Sequence, residues 1–471
     1  MKVLKFGGTS VGRPERLDDL AAIVGTAWSQ GPLAIVVSAL AGVTDDLEAA
    51  LAAAENGEPS LGLLRRLRQR HLDDPAGRLD AEAKRDLEAA LEPRFRELER
   101  LLEGAVLLGE VPRHARHRCL ATGERLAVQR VTAWLRAAGV DAVPVDGTDL
   151  LRVIDDGPEA VVDTSATRGQ VIEGLGQLFA GQVPVITGFF GADDRGRTVT
   201  LGRGASDLVA TVLAAALDAD AVEIWTDTDG VFSADPRRID EAAPIRHLGY
   251  SETAALARYG AKVLHPRSLD PVARVGLPLW VRSTFQADAP GTRIDPACAA
   301  DGLLPDAPTA DVPSSPAKAV STTRAVRLDL VAPHGARLVG RTMSALERVG
   351  VDPLTIRRTP KGLTMTVRAL DADAARHELE RETRHLPVRI EVQDGLAAIG
   401  VLPGKQAAST LVGEIPNRLV ARGLRVFDIF LDGGDGVTVA AAIVPEQEAD
   451  LAVAHLHHEL VHEAPRLRVA S

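Results

Sequence analysis

Short, mainly apolar runs alternate with amphipathic segments over roughly the first 295 residues. The runs predict buried strands at residues 3–6, 33–37, 143–145, 183–186, 222–225 and 279–281. Between them, residues 15–28 and 125–138 carry helical spacing, and residues 207–217 are almost uniformly apolar. This alternation predicts an α/β fold in which a mainly parallel sheet is covered by helices on both faces. Residues 45–110 lack strand-forming runs and are rich in Leu, Ala, Glu and Arg, which predicts a helical insertion.

The composition changes near residue 296, where Ala, Pro, Asp and Ser become dominant. We interpret residues 296–320 as a semi-extended linker. Beyond it, residues 349–356 resemble 422–429 and residues 362–367 resemble 436–441. Each copy predicts the order strand, helix, strand, strand, helix, strand, with helices at 336–348, 372–383, 407–421 and 446–460. The repeat therefore predicts two small α+β modules, which could bind an effector or provide a structural dimer interface.

Composition and charge exclude several classes of protein. The 471 residues include 54 basic and 65 acidic side chains, giving a net charge of −11, and only 3% are aromatic. An acidic chain with few aromatics argues against a nucleic-acid partner or an anionic membrane surface. Two cysteines exclude a disulfide framework and a thiolate metal site and suit a reducing compartment. The apolar run at 208–217 is too short to span a membrane, so we expect a cytoplasmic protein.

A glycine pair follows the first predicted strand, in Lys5-Phe-Gly-Gly-Thr-Ser10. Without a Cβ, Gly7 and Gly8 would let backbone N–H groups approach phosphate oxygens, and Lys5 would neutralise phosphoryl charge. The spacing matches neither the P-loop nor the dinucleotide-binding pattern. An ordinary strand-to-helix turn is the alternative.

A second glycine-containing segment, Thr200-Leu-Gly-Arg-Gly-Ala-Ser-Asp207, precedes the apolar helix. Arg203 can hold a carboxylate through two hydrogen bonds, and a helix N-terminus favours anions. Ser206 or Asp207 is expected to cap the helix. The alternative is a loop that only caps.

Polar residues also follow the strand at 222–225, in Trp225-Thr-Asp-Thr-Asp-Gly-Val-Phe232 and Asp235-Pro-Arg237. The carboxyl ends of parallel strands are where α/β sheets bind ligands, although a solvated turn would look the same. In Gly260-Ala-Lys-Val-Leu-His-Pro266, Lys262 could reach a phosphate or be a surface lysine, and His265 is expected to cap or turn the chain.

Other polar residues receive ordinary interpretations. Thr122-Gly-Glu124 is expected to open a helix, where an acidic side chain favours the helix dipole. The histidines at 114 and 117, and at 455, 457 and 458, are expected on solvated faces. No Ser/His/Asp triad or zinc-ligand spacing is present in the sequence.

These segments, in this order, resemble aspartate kinases of the amino-acid kinase family. The resemblance rests on residues 5–11, 188–189, 201–207, 225–227, 235–237 and 260–266, and it covers nearly the whole chain. It implies a catalytic domain at 1–295 and two regulatory ACT modules at 321–395 and 396–463, with residues 464–471 returning to the first. It also implies transfer of the ATP γ-phosphoryl group to the β-carboxylate of L-aspartate, with Mg²⁺ carried by the nucleotide and no metal held by protein ligands alone.

The resemblance also assigns roles to residues. Catalysis would fall to Lys5, Asp207 and Lys262. Aspartate would be held by Thr44, Glu124, Phe189, Arg203 and Ser206. The nucleotide would be lined by Gly7, Gly8, Thr226, Asp227, Phe232, Arg237 and Lys262.

Departures from the family pattern leave alternatives open. The family's usual Gly-Gly-Ser-Asp, or Asn-Gly-Ser-Asp, is Gly204-Ala-Ser-Asp207 here. The Cβ of Ala205 would narrow the loop if its φ were positive. Phe232 replaces a common tyrosine, and residues 146–167 look more like the kinase part of fused aspartate kinase–homoserine dehydrogenases. Segments 358–361 and 432–435 lack the usual Ser-Glu, so we expect weak or altered feedback by lysine or threonine. A kinase for another amino-acid carboxylate and a catalytically weak regulatory subunit remain alternatives, and a homodimer through the modules is expected.

Overall fold

The computed structural model describes residues 1–59, 61–155, 160–202, 204–261, 264–296, 315–332, 338–434 and 436–462. These residues form two compact units. The first comprises 1–155, 160–230 and 264–296, and the second comprises 231–261 and the described part of 315–462.

The strands follow one another through both units. In chain order they are β1 (Lys2–Phe6), β2 (Leu33–Val37), β3 (Ala142–Val145), β4 (Val153–Ile154), β5 (Val161–Val162), β6 (Val183–Thr187), β7 (Phe190–Ala192), β8 (Thr198–Thr200), β9 (Ala221–Thr226), β10 (Val231–Phe232), β11 (Pro244–Ile245), β12 (His247–Leu248), β13 (Leu279–Ser283), β14 (Thr292–Ile294), β15 (Ala317–Val331), β16 (Thr355–Thr359), β17 (Gly362–Arg368), β18 (Arg389–Pro403), β19 (Asp428–Gly434) and β20 (Val437–Pro445).

The helices alternate with these strands. In chain order they are α1 (Gly8–Val11), α2 (Pro14–Ser29), α3 (Val43–Glu55), α4 (Leu61–Leu72), α5 (Ala81–Leu108), α6 (Arg113–Ala137), α7 (Gly147–Leu150), α8 (Thr164–Leu175), α9 (Ala205–Ala216), α10 (Tyr250–Arg258), α11 (Asp270–Val275), α12 (Leu338–Arg348), α13 (Ala372–Thr383), α14 (Ala408–Ala421) and α15 (Ala449–His457). Short 3₁₀ turns lie at Leu178–Ala180, Pro266–Ser268, Ala369–Asp371 and Glu446–Glu448, and a π-helical turn lies at His458–His462.

The first unit is built on a mainly parallel sheet. Its strands pair in the order β14, β13, β9, β1, β2, β6, β3, and each neighbouring pair is parallel except β13 with β14. Every residue of β2 is buried. Because successive side chains of a strand point to opposite faces, both faces of the sheet are covered there. The predicted α/β fold class and the predicted strands of this sheet are confirmed.

The register places the carboxyl ends of the central strands together. Phe6 of β1 lies opposite Val37 of β2 and Trp225 of β9, and Val37 lies opposite Thr187 of β6. The loops after these four strands therefore leave the sheet at one edge.

Helices α3, α4 and α5 fill the chain between β2 and α6. Asp80 caps α5 by accepting hydrogen bonds from the N–H groups of Glu82 and Ala83, and Gly109 ends the helix at a φ of 67°. The apolar face of α5 is buried in the same core cluster as Leu47 and Leu51 of α3.

The second unit contains a six-stranded sheet in the order β16, β17, β15, β18, β20, β19. The long strands β15 and β18 pair antiparallel along almost their whole length, with a register shift between Ala325 and Arg327. One half of β15 pairs with β17, and β20 pairs with the half of β18 that lies beyond Gly395. The two copies of the repeat thus share their central strands. Residues 464–471, expected to return to the first module, lie outside the described residues.

Among the described residues, no helix of either unit is both long and apolar enough to cross a bilayer.

Candidate active site

An ion pair joins the first two glycine-containing segments. Lys5 Nζ lies 2.6 Å from Asp207 Oδ1, and the two side chains are only 11% and 14% exposed. Lys5 belongs to β1 and Asp207 to the first turn of α9. The structure thus brings together two candidate catalytic residues that are separated by about half of the chain.

The glycine turn after β1 is held by close backbone contacts. The Gly7 N–H donates to the Trp225 carbonyl oxygen over 3.1 Å, and the Ala41 N–H donates to the Gly8 carbonyl over 3.0 Å. A Cβ built on Gly8 would lie 2.6 Å from the Ala39 carbonyl oxygen. Glycine is therefore required at position 8 for the turns after β1 and β2 to approach this closely.

A second close approach joins the end of β6 to the start of α9. A Cβ built on Gly188 would lie 2.5 Å from Ser206 Oγ. The Gly188 N–H also donates to the Val37 carbonyl over 3.0 Å. The next residue, Phe189, has a φ of 73°, an uncommon conformation for a bulky residue. Strained backbone of this kind clusters at functional sites, and here it falls at Phe189, a candidate substrate-binding residue next to the glycine that approaches Ser206.

We expect Gly188→Ala to disturb this approach. The added methyl group has to displace Ser206, so we expect a loss of about 1–3 kcal/mol of stability and a raised KM for the amino-acid substrate. Urea unfolding and substrate saturation measure the two effects. Gly169→Ala is the matched control, because a Cβ at Gly169 in α8 meets nothing within 4 Å. Equal behaviour of the two variants would show that the close approach is not important.

The start of α9 corrects two expectations. Gly204 is the N-cap residue, with a φ of 71°, and neither Ser206 nor Asp207 caps the helix, because both lie within its first turn. A Cβ at Gly204 would lie 2.6 Å from that of His265. Ala205 has an ordinary right-handed helical conformation, because Phe189 and Asp218 are the non-glycine residues with positive φ in the described chain. The departure at Ala205 therefore introduces no backbone strain.

Glu124 is a buried carboxyl in the middle of α6. It is 3% exposed, and its Oε1 accepts a hydrogen bond from the Ala39 N–H over 3.0 Å. Its Oε2 has no hydrogen-bond partner among the described residues. Burial raises the pKa of Glu124 to about 8, an effect that the Ala39 hydrogen bond and the charge of Lys5 partly oppose. A cationic group brought to Oε2 would restore the ionised form.

The expectation that Thr122–Glu124 opens a helix was wrong. Helix α6 begins at Arg113 and continues through this segment, and the Thr122 hydroxyl donates to the Arg118 carbonyl over 3.1 Å. Gly123 is not a helix breaker here. A Cβ at Gly123 would lie 2.8 Å from the Ala39 Cβ, so its small size lets α6 approach the turn after β2.

The end of β9 is fixed by polar contacts within the first unit. The Thr226 hydroxyl donates to Asp227 Oδ1 over 3.2 Å, and the Thr226 carbonyl accepts from the Thr284 N–H over 2.8 Å. Thr284 Oγ1 also lies 2.7 Å from Ser10 Oγ in α1. Ser10 belongs to the glycine-pair segment but was given no role from the sequence, and Thr284 is an isolated hydroxyl residue without a distinctive pattern. Thr44, the remaining candidate of this unit, is a half-buried residue in the first turn of α3.

The other predicted site residues belong to the second unit or lie outside the described residues, apart from His265. Phe232 lies in β10 and Arg237 beside Asp235, with which its guanidinium forms an ion pair of 2.8 Å, and both belong to the second unit. Arg203 and Lys262 lie outside the described residues. His265 accepts a hydrogen bond from the Arg267 N–H, as expected of a capping residue.

The expectation of solvated histidines was wrong at three positions. The His455 side chain is only 10% exposed and lies 3.3 Å from Glu459. His117 is half-buried, and its Nδ1 lies 2.8 Å from Thr200 Oγ1. His457 is buried against Ser233. For His117 and His457 the partner is distant in sequence, so the local pattern could not reveal the burial.

Comparison with known proteins assigns the family. Residues 1–283, more than half of the chain, match the sequence model of the amino acid kinase family. The chain belongs to the amino acid kinase family. Each of the described residues in the Lys5, Gly188 and Glu124 contacts lies within the matched region.

Similar members of the amino acid kinase family include two proteins of Arabidopsis thaliana. The chain is 32% identical to bifunctional aspartokinase/homoserine dehydrogenase 1, over 62% of this chain and 32% of that protein. It is 28% identical to aspartokinase 1, over 97% of this chain and 79% of that protein. The chain thus spans about a third of the first relative and most of the second.

A solved structure is similar over almost the whole chain. Escherichia coli aspartokinase III in complex with aspartate and ADP matches with a TM-score of 0.82 and 27% identity, covering 98% of this chain and 99% of that one. The same E. coli enzyme with lysine and aspartate, in its T-state, gives a TM-score of 0.71. Residues of both units are therefore included in the similarity.

Proposed function

We propose that this amino acid kinase is an aspartate kinase, which transfers the γ-phosphoryl group of ATP to the β-carboxylate of L-aspartate and yields 4-phospho-L-aspartate. The observation that carries the proposal is the Lys5–Asp207 ion pair at the strand edge where the glycine turn and the buried Glu124 also lie. The similarity to an enzyme crystallised with aspartate and ADP supports both substrates. The product would enter the biosynthesis of lysine, threonine and methionine.

Phosphoryl transfer to a carboxylate requires the protein mainly to align the two substrates and to neutralise the charge of the transferred group. The aspartate carboxylate is ionised at neutral pH and attacks without a general base. Phosphoryl transfer then depends on positioning and on cations near the transferring group. In this proposal Lys5 neutralises that group, Asp207 orients Lys5, and the turn brings the backbone N–H of Gly8 toward the phosphate. The N–H of Gly7 already donates to the Trp225 carbonyl, so Gly7 would line the nucleotide through its lack of a side chain.

The aspartate side of the site follows from the same contacts. Glu124 would receive the substrate amino group, Ser206 and Thr44 would contact its polar groups, and Phe189 would bound the pocket. Arg203 is proposed for a substrate carboxylate and Lys262 for the phosphoryl group, on the strength of the resemblance. Thr226, Asp227, Phe232 and Arg237 are proposed to line the nucleotide.

In this proposal a magnesium ion is carried by the nucleotide. Among them, no group of three or more His, Cys, Asp or Glu side chains could hold a metal ion. When bound, Mg²⁺ would neutralise charge on the ATP oxygens. Asp227, which is exposed just after β9, is the candidate to contact its hydration shell.

The proposed reaction predicts aspartate-dependent ADP release from Mg-ATP, with a matching hydroxamate when hydroxylamine traps the acyl phosphate. L-Glutamate and no amino acid are the controls. Preference for another carboxylate would replace the substrate assignment. A folded protein that binds nucleotide without any turnover would favour a regulatory subunit instead.

The regulatory modules supply a second part of the proposal. Asp432, in the segment that departs from the family pattern, accepts a hydrogen bond from the Tyr259 hydroxyl over 2.8 Å and lies 3.0 Å from Arg258 Nε. An acidic group already held by two side chains of its own unit is less available to an amino-acid effector. Weak or altered feedback by lysine or threonine therefore stays our prediction, as does a homodimer through the modules. Adding either amino acid at millimolar concentration to the same assay tests the feedback.

A further inference from the structure

A buried histidine near the end of α15 makes a polar contact with the β10–β11 hairpin. His457 is 1% exposed, and its Nε2 lies 2.8 Å from Ser233 Oγ. Its Nδ1 has no hydrogen-bond partner in the described part of the chain. Burial lowers the pKa of His457, so the imidazole is neutral at neutral pH. The neutral imidazole of His457 can therefore hold Ser233 in place through the hydrogen bond at Nε2.

Ser233, the partner of His457, follows β10 and forms hydrogen bonds with the segment that leads into β11. Its N–H donates to the Ala243 carbonyl over 2.9 Å, and the Ala243 N–H donates to Ser233 Oγ over 3.0 Å. The Ser233 carbonyl accepts from the Val320 N–H of β15 over 2.8 Å. The serine is thus fixed to the hairpin, to β15 and to α15 at once.

The loop of this hairpin packs into the core of the second repeat copy. Ala234 and Ile239 are buried in the same apolar cluster as Leu456 of α15. An ion pair of 2.6 Å between Arg238 and Asp450 adds a contact at the surface of the same helix. The position of the hairpin therefore depends on its contacts with α15 and with the apolar cluster around this helix.

Two residues proposed to line the nucleotide flank Ser233. Phe232 directly precedes it in β10, and Arg237 lies in the loop between the apolar contacts of Ala234 and Ile239. A shift of Ser233 would be transmitted to Phe232 through a single peptide bond. The position of both nucleotide-lining residues therefore depends on the contact with α15.

We propose that His457 is a positioning residue for nucleotide binding, which acts by holding Ser233 and hence the hairpin that carries Phe232 and Arg237. The proposal rests on the proposed function, in which the hairpin lines the nucleotide. His457 itself acts through Ser233 and makes no contact with the nucleotide. This role links the second repeat copy to the affinity for a nucleoside triphosphate, separately from any effector.

The test compares variants of the full-length chain in Mg-ADP calorimetry and in steady-state kinetics. We expect His457→Ala to raise the Kd for Mg-ADP and the KM for Mg-ATP about five- to tenfold, the size expected when one buried hydrogen bond is lost. The kcat and the KM for aspartate should stay within about twofold. His457→Gln, whose amide can reach toward the place of Nε2, should restore much of the nucleotide affinity.

His455→Gln is the matched control, because this histidine lies on the same helix and faces Glu459 at 3.3 Å. It should leave the nucleotide affinity unchanged. A His457→Ala protein with a lower Tm but an unchanged Kd for Mg-ADP would overturn the proposal, as would an equal change in all kinetic constants. If His457→Ala does not fold, Ser233→Ala must show the same selective loss of nucleotide affinity.

Failure of the proposed function is distinguishable from failure of this inference. A wild-type protein that binds Mg-ADP but does not phosphorylate aspartate contradicts the substrate assignment, while the calorimetric comparison of the variants still decides the role of His457. A wild-type protein that does not bind Mg-ADP overturns the positioning role.

Discussion

Replacing Lys5 with alanine should lower kcat by about 10²- to 10³-fold, the loss found when one preorganised donor to a developing charge is removed. Lys5 lies near the carboxyl end of β1, and its ammonium group is 2.6 Å from Asp207 Oδ1, which holds it in position. Because the fixed charge is needed mainly in the transition state, the KM for aspartate should change much less than kcat. The aspartate-dependent ADP assay measures both constants.

The control for Lys5→Ala is Lys405→Ala, which removes the same charge from an exposed position in the second unit. Both variants should retain a cooperative thermal unfolding transition. Lys5→Ala with a kcat close to that of the wild type would remove Lys5 from the mechanism and leave the ion pair with Asp207 as a structural contact.

Replacing Glu124 with glutamine should raise the KM for aspartate by roughly 10- to 150-fold, the range expected for loss of a hydrogen bond between charged groups. The pKa of Glu124 is about 8 in the folded protein, so only part of the protein has the carboxylate ionised at neutral pH. The wild-type KM for aspartate should therefore fall as the pH rises toward 8. The glutamine variant should lack this dependence, because its amide does not titrate.

Glu124→Gln weakens aspartate binding, but it should increase the stability of the fold at high pH. The pKa of Glu124 in the fold lies above that of an unfolded glutamate, so its contribution to stability is complete in acid and is lost as the pH rises through about 8. Glu124→Gln should thus be more stable than the wild type at pH 9, with a smaller difference at pH 6. Urea unfolding at both values tests this, with the exposed Glu110→Gln as the control. A difference that does not change with pH would contradict the raised pKa.

The sheet of the first unit was predictable because its central strands are nearly continuous apolar runs. An apolar run such as that of β2 has to be buried on both sides, and a central strand of a covered sheet provides this burial. The meeting of Lys5 with Asp207 was expected only from the family resemblance. Asp207 follows β8, which pairs with β7 outside the main sheet, so no rule about neighbouring parallel strands connects it with Lys5.

Other features depend on contacts that are distant in the sequence. Gly123 looked like a helix start, but its lack of a Cβ serves the approach of α6 to Ala39. Ser233 and His457 are 224 positions apart, so no spacing rule connects them. The conformation of Ala205 also became clear only when Gly204 was found to take the left-handed position before it.

The shared central strands of the repeat have a consequence for how this part of the molecule can be divided. Strands β15 and β18 each pair with partners in both copies. A cut between the copies, near Gly395, would leave half of each long strand without its hydrogen-bonded neighbour. We therefore expect that neither copy folds when it is expressed, or exchanged for that of a relative, without the other.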